Sequence, residues 1–355
     1  VRSDHRGLGY QSHGYYQHLS PVKTLHVHMT SNLGTWTPYA EHREAWYPDV
    51  RSANYDGHTG RLDDEAAIRW LLADVDVLLS AETFYDFRVI GWAREAGVKT
   101  VLVGNPEFLR PEVLVSPPDV LVMPSRWRLD TIPNAVHLPQ PVDRSVFAFT
   151  PRPLVPDRLR FLHVVGHRAA RDRAGTDLVL DCIRFLRHRI DLTIRCQGSL
   201  SAPQQLLLRG LRRHQIPTVL LGDVDDPRAL YEGYDVLLAP RRYGGLSLTL
   251  NEATSCGLAI IATDREPERF ALPAEALVPA YRGRDVQFQG GTFTLDDANP
   301  RDLAEAIDRL VDDPAAVARL SAASDAYGES ISWETLAPKW RALLERATTM
   351  TGVGP

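Results

Sequence analysis

The chain has 355 residues, 40 Lys plus Arg against 45 Asp plus Glu, and a formal net charge of −5. That length is large for one core, so two domains are expected. The acid excess argues against a protein that coats nucleic acid, and no run of 18 apolar residues offers a membrane span. The opening residues VRSDHRGLGY are polar and lack the apolar centre of a signal peptide. Cys182, Cys196 and Cys256 form no CxxC pair and fall in expected core elements, which suits reduced thiols in a cytoplasmic protein.

In chain order, Gly7 and Gly9 make a GxG turn ahead of a helix-like stretch. Ser12 stands where a dinucleotide fingerprint would carry its third glycine, so the turn either borders a cleft or is a plain tight turn. Strands are expected over 24–29, 75–80, 99–103 and 120–123, and helices over 63–73 and 87–96, with Gly97 stopping the second. Strands and helices alternating at these lengths imply a parallel, doubly wound α/β sheet. Ligands in such sheets bind beyond the carboxyl ends of the strands. Glu82, Tyr85, Asn105 and Glu107 all lie just past such ends. A carboxylate there, Glu82 before Glu107, can orient an acceptor hydroxyl or take its proton, or can be a plain cap or ion pair. His26 and His28 would share one side of a strand, but with His5, His13 and His58 they make no compact ligand set, so no metal site is expected.

Pro151, Pro153 and Pro156 mark a stiff linker. A second run of strand, glycine turn and helix follows: a strand over 160–165, a turn bracketed by Gly166 and Gly175, then a helix. The turn carries Arg168, Arg171 and Arg173, and arginine forks suit phosphate. A strand over 192–196 ends in Gln197 and Gly198, a helix is expected over 202–214, and a strand over 218–221 ends in Gly222, Asp223 and Val224. Asp74-Val75-Asp76 and Asp223-Val224-Asp225 match the short DxD pattern of metal-dependent transferases and are read as coincidence. Residues 151–215 hold thirteen arginines against five aspartates, some facing the ligand and some offsetting helix dipoles.

The stretch 235–264, DVLLAPRRYGGLSLTLNEATSCGLAIIATD, organises the whole. A buried strand over 235–240 runs into Gly244 and Gly245; a helix over 247–256 follows, with Ser247 as N-cap and Gly257 at its stop, then a buried strand over 258–263. Free N–H groups and the positive end of the helix dipole make the space above this loop an anion site. Glu252, just over one turn in, can face the same space and accept hydrogen bonds from sugar hydroxyls.

This stretch resembles the donor motif of the retaining GT-B glycosyltransferases of the family-4 type, the glycosyl transferases of group 1. Their pattern is two glutamates separated by seven residues around a Gly-rich turn, the second opening an EA pair. Glu252 and Ala253 supply the second; Gly244 replaces the first. The resemblance covers most of residues 120–345 and is weaker before that. It implies a GT-B fold of two Rossmann-like domains facing across a cleft: an acceptor domain over 1–149, a linker over 150–157, a nucleotide-sugar domain over 158–335, and a terminal helix over 336–355 returning to the first domain. By resemblance, Glu252 holds the nucleotide ribose. Arg173, with Arg168 next and Arg171 competing, binds the diphosphate in the catalytic step. Gly7, Gly9, Gly166, Gln197, Gly198, Asp223, Val224 and the backbone of Gly244, Gly245, Leu246, Ser247 and Leu248 line the donor. Related transferases carry a histidine after the strand over 75–80; this sequence has none there, so Glu82 is the catalytic candidate on the acceptor side, with Tyr85, Asn105 and Glu107 beside it from their places past the strand ends. The implied activity is retaining hexosyl or pentosyl transfer from a nucleotide-diphosphate sugar, with no cofactor and no metal, to a hydroxyl of a glycan, lipid or small molecule. Two alternatives stand beside it: transfer to hydroxylated bases in phage DNA, from the arginine excess, and a non-catalytic nucleotide-sugar-binding relative, from Gly244. After the motif come a hairpin over 285–295 through Gly290 and Gly291, helices over 300–312 and 314–323, and a last helix after Ser332-Trp333.

Overall fold

A computed structural model describes residues 65–73, 75–82, 84, 86–151, 159–166, 172–222, 224, 226–288 and 290–350, together with 14–15, 18–19, 24–26, 55–56 and 61–62. Residues 152–158, which include most of the expected linker over 150–157, and the tail beyond 350 lie outside these, as do Gly7, Gly9, Tyr85, Arg168, Arg171 and Asp223.

The chain forms two compact units, the first of residues 1–141, 288–291 and 333–355, the second of 142–287 and 292–332. In the first, strands β1 (Thr24–His26), β4 (Val77–Glu82), β5 (Lys99–Gly104), β6 (Val120–Met123) and β7 (Ala135–His137) make a parallel sheet in the order β1-β4-β5-β6-β7. Two-residue strands β2 (Tyr55–Asp56) and β3 (Arg61–Leu62) pair antiparallel. Helices α1 (Glu65–Leu72), α2 (Arg88–Glu95) and α3 (Glu112–Val115) join them. Their apolar faces meet the sheet in one core that includes Ile68, Leu78, Phe84, Ile90, Trp92, Leu102 and Met123.

The second unit starts from β8 (Arg160–Gly166) and runs through β9 (Asp191–Cys196), β10 (Thr218–Leu221), β11 (Val236–Ala239), β12 (Ala259–Thr263) and β13 (Leu277–Val278), all parallel. Their order, β10-β9-β8-β11-β12-β13, reverses between β8 and β11. Helices α4 (Thr176–Cys182), α5 (Ala202–Arg209), α6 (Leu248–Ser255) and α7 (Glu266–Ala271) connect the strands, and a hairpin of β14 (Ala280–Phe288) and β15 (Gly291–Ala298) follows. Helices α8 (Pro300–Asp312) and α9 (Pro314–Ser330) close the unit. Gly328 lets α9 come against α6: a Cβ there would sit 2.7 Å from Ser255 Cα. Residues 142–149 pack into this second unit. Val142 N–H donates to Ile331 O at 2.9 Å, and Ser255 Oγ donates to Phe147 O at 2.5 Å.

Helix α10 (Trp333–Thr349) counts with the first unit. Trp340 is wholly buried and donates from Nε1 to Pro139 O at 3.3 Å. Tyr15 meets Trp333 and Trp340 edge-on, with ring centroids 5.4 and 4.9 Å apart, and its O–H donates to Gln140 Oε1 at 2.6 Å. Among the described residues no helix is long and apolar enough to cross a membrane.

Candidate active site

The reversal of strand order between β8 and β11 opens a crevice at their carboxyl ends, the usual ligand position of a doubly wound sheet. Two loops meet there. The one after β8 ends in Asp172, Arg173, Ala174 and Gly175; the one after β11 runs from Pro240 to Ser247. Gly175 is left-handed at φ +73°, and a Cβ on it would lie 2.0 Å from Pro240 O, so only glycine allows this approach. Arg242 N–H donates to Arg173 O at 3.1 Å and joins the loops directly. Beneath them His163 is buried in β8, with Nδ1 2.8 Å from Leu238 O and Nε2 3.0 Å from Thr176 Oγ1. A carbonyl only accepts, so Nδ1 carries the proton and Nε2 accepts from the threonine hydroxyl. Burial lowers the His163 pKa and keeps the ring neutral.

Arg173 Nη2 donates to Leu246 O at 3.2 Å, and its guanidinium lies 5.7 Å from the Tyr243 ring centroid. Arg241, buried, donates to the same Leu246 O at 2.9 Å. Two guanidinium groups therefore converge on one carbonyl just ahead of the N-terminus of α6. Ser247 caps that helix, its Oγ accepting from Leu250 N–H at 3.2 Å. On α6, Glu252 is half-buried and accepts from Tyr231 O–H at 2.5 Å on Oε2. Burial pushes the Glu252 carboxyl up to about 7, with the tyrosine hydrogen bond working the other way.

Gly244 is left-handed at φ +104°, and its carbonyl accepts from Arg265 Nη2 at 3.1 Å. A glutamate would be strained in that backbone conformation, so glycine here goes with a differently shaped loop. Arg265 is buried and also binds Glu268 and Asp296, each at 3.1 Å.

Beside this lies a cavity of about 630 Å³ lined by Asp172, Arg173, Asp177, Ser199, Gln204, Arg242, Arg284 and Asp297, among others. Arg242, its side chain 10 % exposed, pairs with Asp177 at 2.7 Å, Asp172 at 3.2 Å and Asp297 of β15. Asp172 also accepts from the N–H groups of Thr176 at 3.0 Å and Asp177 at 2.8 Å. Those are the first amides of α4, so the chain's own carboxylate occupies the anion position at this helix N-terminus. Burial and the neighbouring Asp172 push Asp177 up to about 6 despite Arg242. Burial works to raise Asp172 too, yet its hydrogen bonds with Asp177 and the α4 amides and the charge of Arg242 bring it down to about 2. The two carboxyls thus share one proton over the acid range.

Of the residues marked from the sequence, Arg173, Gly244, Gly245, Leu246, Ser247, Leu248 and Glu252 belong to the two loops and helix α6. Arg173 lines the cavity; Glu252 and residues 244–248 do not. Gly166, Gln197 and Gly198 gather at the ends of β8 and β9, where Gln197 N–H donates to Gly166 O at 3.1 Å, and half-buried Val224 follows β10. In the first unit Glu82 closes β4 opposite Gly104. Asn105 and Glu107 are buried just after β5, and Asn105 Oδ1 has no hydrogen-bond partner among the described residues. Sequence reasoning passed over Arg241, Arg242, Asp172, Asp177, Asp297 and Tyr231. The legible signal was Arg241-Arg242, two charges directly after a buried strand at the switch point.

Residues 160–313 match the family model of the glycosyl transferases group 1. The match spans less than half of the chain and lies almost wholly within the second unit. A search of curated proteins returned no match. Among solved structures, the chain resembles a Rickettsia africae glycosyltransferase at TM-score 0.66 and 11% identity, over 94% of this chain and 100% of that one. It resembles sucrose-phosphate synthase from Thermosynechococcus elongatus at TM-score 0.65 and 14% identity, over 97% and 94%. Anabaena HepE in complex with UDP and glucose gives TM-score 0.63 and 10% identity, over 92% and 100%. At these identities the likeness establishes the fold: α/β, GT-B, with two Rossmann-like domains. The arginine excess of 151–215 is partly internal to the second unit. Arg160 pairs with Asp235 at 2.9 Å, Arg187 with Asp312 at 2.7 Å, and Arg184 with Asp181.

Proposed function

We propose that the enzyme moves a hexosyl or pentosyl group from a nucleoside diphosphate sugar to an acceptor hydroxyl on a glycan, lipid or small molecule, with retention and without a bound metal, in the cytoplasm. The observation that carries this reading is the convergence of Arg173 and Arg241 on Leu246 O ahead of α6. Two guanidinium groups beside a helix N-terminus focus positive charge where a diphosphate would lie. Structures of similar fold were solved with UDP and glucose and with UDP-glucose, which supports the donor class. Glu252 would accept hydrogen bonds from the ribose. The arginines would stabilise charge growing on the diphosphate as the bond from C1 to the phosphate oxygen breaks. That departing oxygen would take the acceptor proton on the same face, where the new C1–O bond forms. Asn105 and Glu107, with Glu82 and Tyr85, are the acceptor-side candidates.

A thermal-shift panel of nucleotide sugars tests the reading, because a bound donor raises the melting temperature by mass action. One donor should stabilise the wild type, and Glu252→Ala should lose most of that shift. An undiminished shift in Glu252→Ala would sink the assignment. Turnover with the matching donor should survive EDTA, and the product should keep the donor's anomeric configuration by NMR. Activity lost to EDTA and restored by Mg²⁺ would remove the metal-free part.

A further inference from the structure

Tyr231 reaches Glu252 from outside its helix. The 3-10 turn Pro227–Leu230 ends at Tyr231, whose backbone N–H closes onto Arg228 O at 3.0 Å. The ring is 1 % exposed and meets Phe147 edge-on, centroids 5.9 Å apart. Packing on this side and the turn on the other hold the phenolic oxygen in place, 2.5 Å from Glu252 Oε2.

We propose that Tyr231 is a positioning residue for donor binding: it occupies Oε2 of Glu252, fixes the carboxylate plane, and presents Oε1 as the acceptor for the ribose hydroxyls. The proposal rests on the reading that Glu252 meets the ribose. A glutamate on a helix face has three torsions to settle, and a charge-assisted O–H···O⁻ bond removes much of that freedom before the ligand arrives. The same bond favours the ionised carboxylate. Burial alone would leave more of Glu252 protonated near neutrality, and Tyr231 opposes it. Burial first, then Glu252 and Cys256, raise Tyr231 well above its ordinary range and keep its O–H protonated, while a hydrogen bond with Thr249 works the other way. Around α6, the 142–149 segment contributes the uncharged Phe147, and α9 brings Gly328 against Thr254 and Ser255. The charge state of Glu252 is thus set by its burial and by Tyr231.

Affinity for a nucleotide sugar is to be measured by calorimetry from about pH 5.5 to about 8.5, using whichever of UDP-glucose, GDP-mannose, ADP-glucose and dTDP-glucose binds most tightly. Both phosphates of these probes are esterified and neither titrates in that range. The wild-type Kd should rise as pH falls through about 7. Tyr231→Phe keeps the ring and loses the O–H. Its profile should move to higher pH by roughly one unit, about tenfold weaker binding below both midpoints. Glu252→Gln should bind weakly and lack the step near pH 7, leaving only whatever Asp177 contributes near 6. If Tyr231→Phe superimposes on the wild type while Glu252→Gln is weakened, the role of Tyr231 is overturned and the donor reading stands. If Glu252→Gln binds as well as the wild type, or if none of the four probes binds, the donor reading goes and this proposal with it. A flat wild-type profile also overturns the role of Tyr231, so a Tyr231→Phe protein that fails a thermal-unfolding check still leaves a decisive measurement.

Discussion

Replacing Arg173 with alanine removes one of the two guanidinium groups that meet at Leu246 O. A charge-assisted contact of this kind contributes about 1.5–3 kcal/mol, so the Kd for the matching nucleotide sugar should rise roughly 10- to 150-fold, as calorimetry can read. The proton shared by Asp172 and Asp177 gives a second expectation. Asp177 binds its proton more tightly folded than unfolded, so its contribution to stability is full below its ordinary range near pH 4 and is lost as pH rises through about 6. Asp172 holds its proton less tightly than usual, so its contribution is present above its ordinary range and is lost as pH falls toward about 2. Urea unfolding of Asp177→Asn should lack the decline between about pH 4 and about pH 6 that the wild type shows. Identical slopes in the two proteins would refute the shared proton. Neither aspartate was legible as a site residue beforehand. Their partner Arg242, which also pairs with Asp297, lies some distance along the chain, and such pairings leave no local pattern.

At the scale of elements, short motifs with strong local chemistry read well. The strand Thr218–Leu221, the cap at Ser247 and the stop at Gly257 with φ +73° all agree with the sequence, because each depends on residues within a turn of itself. Tertiary contacts decided the rest. The helix expected over 202–214 ends at Arg209, where Gly210 N–H bonds back to Leu206 and Leu207. The one expected over 314–323 continues to Ser330 because Gly328 lets it lie against α6. Strand β13 and helix α7, of two and six residues, were too short for periodicity to reveal. Gly175 is where element geometry and ligand geometry meet. Gly175→Ala adds strain of at least about 1 kcal/mol from its left-handed φ, and its Cβ pushes against Pro240 O. The variant should melt lower and lose donor affinity together. Unchanged binding would mean that the spacing of the two loops is not what forms the site.

For the whole molecule, the division into two units was visible in length and in the repeated run of strand, glycine turn and helix. The boundary at 142 was not, since residues 142–149 follow buried contacts rather than composition; helix α10 falls in the first unit, as the family resemblance implied for the terminal helix. Trp340, wholly buried on α10, anchors the last helix to Pro139. Trp340→Ala should cost about 3–5 kcal/mol, seen as a lower urea midpoint for the first unit, while a superimposable unfolding curve would show that α10 contributes little to that core. That anchoring also sets an order of assembly during synthesis. Nearly all of the second unit is one continuous run, 142–332, and it can complete its sheet as soon as that run has left the ribosome. The first unit begins earlier but finishes later: Tyr15 waits for Trp333 and Trp340, which are made more than 300 residues after it. The segment around Tyr15 is therefore open to chaperones and proteases until Trp333 and Trp340 have been made.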